Sequence, residues 1–456
     1  MPGTDVRHGS TPMRWLGLIT GLSVALRLGA AVYLGNDVTV QPGTADQLSY
    51  HLLALRVLDG HGFSFETGWW PATPAGEPTA HWSYLYVLFL AGVYQIAGPA
   101  PLVARIVQAV AVGVLQPVLT CGIATRLFGY RVGLVSAAVV AGYAYFVYYA
   151  GTLMTESFFI VALLWTVVAA MRLGSTGDAR EGARGLRPWL ALGTALASAV
   201  LLRQAFLVCV PAVVLWIGWR KLPDVRMEAW RGPATRSLAR GMGVTIGVLA
   251  LAILPWTVRN YRAFHQFVLL NTNAGFAFFW GNHPIHGTHF IPILPGDGSL
   301  YGEIIPDDVR GLNEAEMDRA LLRRGLSFVV EDPSRYAWLT ASRVREFVKF
   351  WPSPESGRMS NASRLASFGL CAPFMAAGLA LLLLERSHRP ARGDAALLLG
   401  IAFVYSLAHV LTWTLVRYRL PVDALLIPLA ALAMQRVFDR LASRSRTAEG
   451  EMLVAR

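Results

Sequence analysis

Apolar residues run along this chain in long blocks separated by short polar linkers. Ten such blocks lie at 14–34, 102–125, 132–149, 155–173, 188–203, 206–219, 241–258, 365–384, 394–414 and 419–437. A helix that is apolar on every face has to sit in a large core or in lipid. About 20 residues suffice to cross a hydrocarbon layer. The pattern therefore predicts an all-α polytopic membrane protein of about ten spans. A further block, 83–97, is only about three-quarters of a usual span length. Residues 46–58 follow a Gly43-Thr44 turn and repeat Leu48, Leu52, Leu55 and Leu58 at helical spacing, which suits a helix lying in the interface. The stretch 275–311 is rich in Gly, Pro and His, and 313–330 and 333–350 read as amphipathic helices. No fixed-period repeat and no symmetry between the halves is visible, unlike many transporters.

Charge decides the status of 83–97. Basic residues concentrate in 126–131, 172–187 (Arg172, Arg180, Arg184, Arg187), 220–240 (Arg220, Lys221, Arg226, Arg231, Arg236, Arg240), 386–392 and the tail after 436. If 83–97 lies flat, all of these share a side with Arg7 and Arg14; if it crosses, every one is reversed. Cytoplasmic loops carry the Arg/Lys excess, so the flat arrangement is expected, with both termini cytoplasmic. The run Trp15–Leu34 contains Arg27 and lacks a cleavage site, so it reads as a retained first span and not a leader. The expected organisation is a transmembrane catalytic module, 1–258, with its first external loop at 35–101. A large external loop, 259–364, the final spans within 365–437 and a cytoplasmic tail, 438–456, follow.

Composition agrees with this class. Hydrophobic residues make up 54% and charged residues 15%, against roughly 25% charged in a soluble domain. The net charge of +12 comes from the inter-span linkers, so no nucleic-acid partner is implied. Cys121, Cys209 and Cys371 lie far apart in apolar segments and form neither a zinc motif nor a disulfide framework.

Several ionisable residues fall at predicted outer ends of spans: Arg105, Glu156, Arg203, Arg259, Arg417 and Arg419. Any one arginine there could snorkel to headgroups or pair with an acid. Five on one face point instead to a shared anion, since the guanidinium fork fits phosphate and keeps its charge. Glu156, in LMTESFF, is either an acid at a positive helix end or a carboxylate facing that anion site. Asp46 opens the interfacial helix, with Tyr50 one turn further on. It is either an ordinary first-turn aspartate or a surface acid facing the arginines. His81, His283, His286 and His289 fit a metal site only weakly, a solvated loop being the plainer reading. Trp69, Trp70, Trp82, Tyr84 and Tyr86 suit either sugar stacking or an interfacial aromatic belt.

Taken in order, several segments resemble the bacterial GT-C glycosyltransferases related to protein O-mannosyltransferases and to the lipid A aminoarabinose transferase. They are the first-loop pattern Asp46, Tyr50, Ala54, Gly60, Gly62, Phe63, then ATRLFGYRVGLVSA, YYAGTLMTESFF, LLRQAFLVCVPAVVL, LPWTVRNYRAFHQF, NTNAGFAFFWGNHP and VRYRLPVDALLIPLAAL. The resemblance covers most of the chain. It implies an inverting transfer from a polyprenyl-phosphate-linked sugar to a hydroxyl of a glycan, lipid or protein, at the outer face of the bacterial plasma membrane. It gives Asp46 the base role, makes Glu156 the second acid, and lets Arg105, Arg203, Arg259, Arg417 and Arg419 hold the donor phosphate. Tyr50, His81, Trp82 and His283 become contacts to acceptor, sugar or a divalent metal. Gln47 stands where many relatives carry a second acid, which weakens the case for a metal. HWSYLY replaces the relatives' Pro- or Lys-containing motif, and the chain ends without the soluble C-terminal domain that some relatives carry. Two other functions fit the same features: a lipid-linked sugar flippase, and an O-antigen-type ligase with a pyrophosphate donor using Arg310, Arg319, Arg323 and Arg324.

Overall fold

A computed structural model describes residues 10–39, 43–174, 185–228, 232–295, 298–354 and 356–454. Arg7, Arg180, Arg184 and Arg231, which entered the orientation argument, lie outside these residues. The described chain opens with α1 (Ser10–Leu34), followed in the first inter-span segment by α2 (Asp46–Leu58) and α3 (Tyr84–Ala97). Next come α4 (Pro101–Phe128), the pair α5 (Tyr130–Gly142) and α6 (Ala144–Gly151), α7 (Glu156–Leu173) and α8 (Arg187–Leu202). A 3-10 turn, Gln204–Cys209, leads into α9 (Val210–Glu228), and α10 (Pro233–Phe264) follows. The second long segment holds α11 (Ala274–Asn282), α12 (Glu314–Glu331) and α13 (Pro333–Phe347). The last helices are α14 (Arg358–Leu384), α15 (Arg389–Leu411) and α16 (Val416–Val454).

Among the described residues eight helices are long and apolar enough to cross a membrane, or up to nine spans if the bent α5–α6 pair counts as one. The expected block 188–203 is α8, an apolar helix of 16 residues packed between α7 and α10. Block 132–149 is a bent pair, turning by 52° between α5 and α6. A bend of this size frees backbone carbonyls that lipid cannot satisfy. Arg27, fully buried on α1, supplies the donors. Its Nη1 donates to Ala141 O (3.2 Å) and Ser23 Oγ (2.6 Å), and its Nη2 to Val140 O (3.1 Å) and Gln116 Oε1 (2.9 Å).

The bundle has two distinct ends. At one, Asp394 of α15 pairs with Arg126 of α4 (2.6 Å) and Arg220 of α9 (3.3 Å). The other carries both long segments. There α3 begins beside the ends of α8 and α10, with Ser83 Oγ donating to Leu201 O (2.8 Å) and Tyr84 OH to Asn260 Oδ1 (2.7 Å). Its far end turns through Gly98 straight into α4. Both ends of α3 therefore lie at the loop-bearing end, and the helix runs along the bundle without crossing it.

The two long segments are clasped together by Glu314, at the start of α12. Its buried carboxylate accepts from Thr73 Oγ1 (2.9 Å), Ala80 N (2.8 Å) and Thr272 Oγ1. Next to it α11 meets α12 at Gly275, whose N–H donates to Asp318 Oδ1 (2.8 Å). A Cβ on Gly275 would collide with the Asp318 carbonyl oxygen. Gly275→Ala should therefore cost about 3 kcal/mol, the upper range for overpacking. Thermal unfolding in detergent reads the loss. Gly302→Ala, where nothing lies within 4 Å of the new Cβ, is the control and should leave the Tm unchanged.

Candidate active site

Four ionisable side chains meet at the loop-bearing end, each from the end of a different helix. Asp46 is the first residue of α2, Glu156 the first of α7, and Arg417 the second of α16; Arg203 caps the C-terminus of α8. A helix dipole favours an acid at its N-terminus and a cation at its C-terminus. Asp46, Glu156 and Arg203 obey this. Arg417 opposes the dipole of α16, so the acids set its position.

The four form a row of alternating sign. Arg417 Nη2 lies 2.6 Å from Asp46 Oδ2, and its Nη1 lies 3.7 Å from Glu156 Oε1. Arg203 Nη2 reaches the same Glu156 oxygen at 3.3 Å. Exposure is greatest at Asp46 (25%), falls to 10% at Arg417 and 1% at Glu156, and rises again to 15% at Arg203. The Tyr418 ring packs against both cations, 4.7 Å from the Arg203 guanidinium carbon and 5.2 Å from that of Arg417. Three buried polar atoms of the row, Arg417 Nε, Arg203 Nη1 and Glu156 Oε2, have no hydrogen-bond partner. Buried polar atoms are nearly always paired, so these three are candidate contacts for a polar ligand.

An aromatic wall stands beside the row. Tyr50 packs edge-on against Trp82 (5.5 Å) and Tyr86 (5.0 Å), and His81 packs against Trp70, Trp82 and Phe276. Burial pushes the Tyr50 hydroxyl pKa up, with Asp46 and Glu156 adding to the effect. Burial pulls His81 down, opposed by the nearby Glu314 and Asp46 carboxylates, so His81 favours its neutral form. Outside Trp70 the surface is hollowed into a shallow depression of about 380 Å³, walled by Trp69, Pro71, Thr73 and Gly302 among others. Trp69 Nε1 donates to Ser49 Oγ (2.9 Å), which ties this wall to α2 one turn beyond Asp46.

Three of the five arginines expected to share an anion are placed differently. Arg105 donates to Gly151 O (2.8 Å) and Asp37 O (2.9 Å). Arg259 donates to Thr79 O (2.9 Å) and Phe63 O (3.2 Å). Arg419 pairs with Asp423 (3.2 Å) and donates to Phe347 O (2.7 Å) and Lys349 O (3.1 Å). The physical reason is common to all three. Irregular segments at the bundle end expose carbonyls, and a long five-donor side chain satisfies several at once. His283 likewise serves its own loop, where its Nδ1 accepts from Ile285 N (3.2 Å) and its ring sits between those of Phe279 and Phe328. Tyr418 and Glu314 join the site region without having been singled out for it, while Trp70 was among the aromatics read as able to stack on sugars. Tyr418 could have been found from its place between Arg417 and Arg419; Glu314 reads locally as an ordinary first-turn acid.

A divalent metal fits this arrangement poorly. Among the described residues no group of three or more His, Cys, Asp or Glu could hold an ion. Gln47, beside Asp46, turns away: its Nε2 donates to Thr39 O (2.8 Å) and its Oε1 accepts from Arg105 (3.4 Å).

No protein-family model matches the chain, and no curated protein does. Solved structures do match. The oligosaccharyltransferase AglB of Archaeoglobus fulgidus, in complex with an inhibitory peptide and a dolichol-phosphate, superposes with a TM-score of 0.57 at 16% identity. That match covers 97% of this chain and 52% of AglB. The chain has the GT-C membrane fold. Another structure of the archaeal enzyme, with Zn and sulfate, gives a TM-score of 0.55 at 16% identity over 96% of this chain and 51% of that one. The chain thus spans about half the length of these oligosaccharyltransferases. ArnT from Cupriavidus metallidurans, bound to undecaprenyl phosphate, also matches, with 14% identity over 93% of this chain and 78% of that one. Its TM-score of 0.40 is too loose to place residues.

Proposed function

We propose that this GT-C chain is an inverting glycosyltransferase that moves a sugar from a polyprenyl-phosphate carrier to an acceptor hydroxyl. The reaction is assigned to the loop-bearing end of the bundle, facing the exterior of a bacterial plasma membrane, with both termini in the cytoplasm. The observation that carries the reading is the row Asp46–Arg417–Glu156–Arg203 with its two unpartnered guanidinium N–H groups.

In the proposed step the acceptor oxygen forms a bond to the anomeric carbon as the bond from that carbon to the phosphate oxygen breaks. A single displacement inverts the carbon. Asp46, the most exposed of the four, takes the acceptor proton. The electron pair leaves on the lipid phosphate, towards Arg417 Nε and Arg203 Nη1. Donors fixed in a partly buried site stabilise this growing charge without reorganising at the moment of reaction. Glu156 keeps the two guanidinium groups oriented, and the Tyr50, Trp82 and His81 wall offers apolar faces to the sugar. Arg105, Arg259 and Arg419 act as positioning residues that hold the surrounding segments in place. The dolichol-phosphate complex of AglB supports a lipid phosphate as ligand of this fold.

Mass spectrometry of lipid co-purifying with the protein should find a polyprenyl monophosphate or its glycosylated form. A transfer assay with matched donors should show turnover from the monophosphate and little from the pyrophosphate. Preference for the pyrophosphate would favour a ligase. Movement of donor across vesicles with no transfer would favour a flippase.

A further inference from the structure

We infer that the guanidinium of Arg417 occupies the place between Asp46 and Glu156 that a divalent cation would need, so that the site runs on a fixed organic cation and admits no metal to its acid pair. The kinetic part of this inference rests on the proposed transferase reading; the structural part does not.

A divalent cation demands oxygen ligands gathered around one point at roughly 2.0–2.6 Å. Here the carboxylates of Asp46 and Glu156 approach two different nitrogens of one planar group, at 2.6 and 3.7 Å. They are thereby held around a fork and not around a point. Gln47 is bound elsewhere and no third His, Cys, Asp or Glu joins the pair among the described residues, so a cation here would rest on these two carboxylates, with water completing its shell. Charge argues the same way. Two carboxylates and two guanidinium groups already balance, and a dication would enter a largely buried row beside two fixed positive charges. Arg417 is also anchored from outside the row, through Gly43 O (3.4 Å) and the Tyr418 ring. It is part of the scaffold and does not exchange.

The substitution changes the chemistry available. A guanidinium stays charged at every relevant pH and offers directed N–H donors. It holds Asp46 and Glu156 apart in charge and still presents Nε to the leaving phosphate. No metal-bound water contributes to the pH profile, and chelators leave the rate alone.

The test uses the full chain in detergent or nanodiscs, with Mn2+ as the probe. The wild-type protein should transfer equally well before and after dialysis against EDTA, and should show no saturable Mn2+ uptake by paramagnetic resonance. Arg417→Ser leaves two carboxylates without their cation and should gain Mn2+ binding, which adding Glu156→Gln removes. Arg417→Lys keeps a cation there and should stay blind to Mn2+. A loss of at least about tenfold in wild-type transfer on chelation, restored by Mn2+, overturns the inference. So does wild-type Mn2+ uptake that Glu156→Gln abolishes, or a folded Arg417→Ser that takes up none. If Arg417→Ser does not fold, the wild-type and Glu156→Gln proteins decide between the same outcomes. A wrong transferase assignment shows itself separately, as absence of transfer under every condition while the Mn2+ results stand.

Discussion

Asp46→Asn is expected to lower transfer by about 10²–10⁴-fold, the usual contribution of a positioned general base. Asparagine keeps the size of the side chain and an oxygen for Arg417, but it cannot take the acceptor proton. The loss should appear in kcat. The two donors assigned to the phosphate, Arg417 Nε and Arg203 Nη1, are not the atoms that hold Asp46, so the KM for the lipid donor should change little. Stability should fall only slightly, because Asp46 is a quarter exposed and a solvent-screened pair contributes about 0–1 kcal/mol. The measurement is kcat and KM with a purified lipid-linked sugar, alongside the Tm. Activity within about twofold of wild type would remove Asp46 from the base role.

Arg27→Leu carries the largest expected loss of stability, about 3–5 kcal/mol, because it leaves three buried acceptors without their donor at about 1–3 kcal/mol each. Arg27 is fully buried in the first span and has no acid beside it; carbonyls and Gln116 bear its charge. Leucine would fill much of the space and leave Val140 O, Ala141 O and Gln116 Oε1 without their donor in an environment that provides no water. The damage should reach the site. The α5–α6 bend that Arg27 supports leads through Thr152–Thr155 into Glu156, so transfer should decline together with the Tm. Arg27→Lys should recover little, since a compact ammonium cannot span Gln116 and both carbonyls. An unchanged Tm in Arg27→Leu would show that the bend holds itself.

The membrane class was legible because lipid imposes it residue by residue: blocks apolar on every face appear directly in the sequence. The expectation that α3 does not cross rested on charge, since a single extra crossing would put every basic linker on the opposite side. Asp46, Glu156, Arg203 and Arg417 could be picked out because ions at span ends are costly, and the structure brings these four together. The sequence could not separate Arg203 and Arg417 from Arg105, Arg259 and Arg419. That distinction depends on which carbonyls are left open by segments far away in the chain, such as Gly151 for Arg105 and Phe347 for Arg419. The bend at Tyr143 was hidden for the same reason. Its hydrophobic pattern continues unbroken, and the residue that makes the bend tolerable, Arg27, lies far earlier in the chain, on α1.

The ion triad at the far end of the bundle bears on traffic through the proposed transferase. Asp394, gripped by Arg126 and Arg220, knots α4, α9 and α15 together opposite the acid row. On the proposed transferase reading, donor, acceptor, product and emptied carrier all pass through the loop-bearing end, and the spent lipid phosphate competes with fresh donor for the same two arginines. Turnover in a closed vesicle should then slow as carrier accumulates.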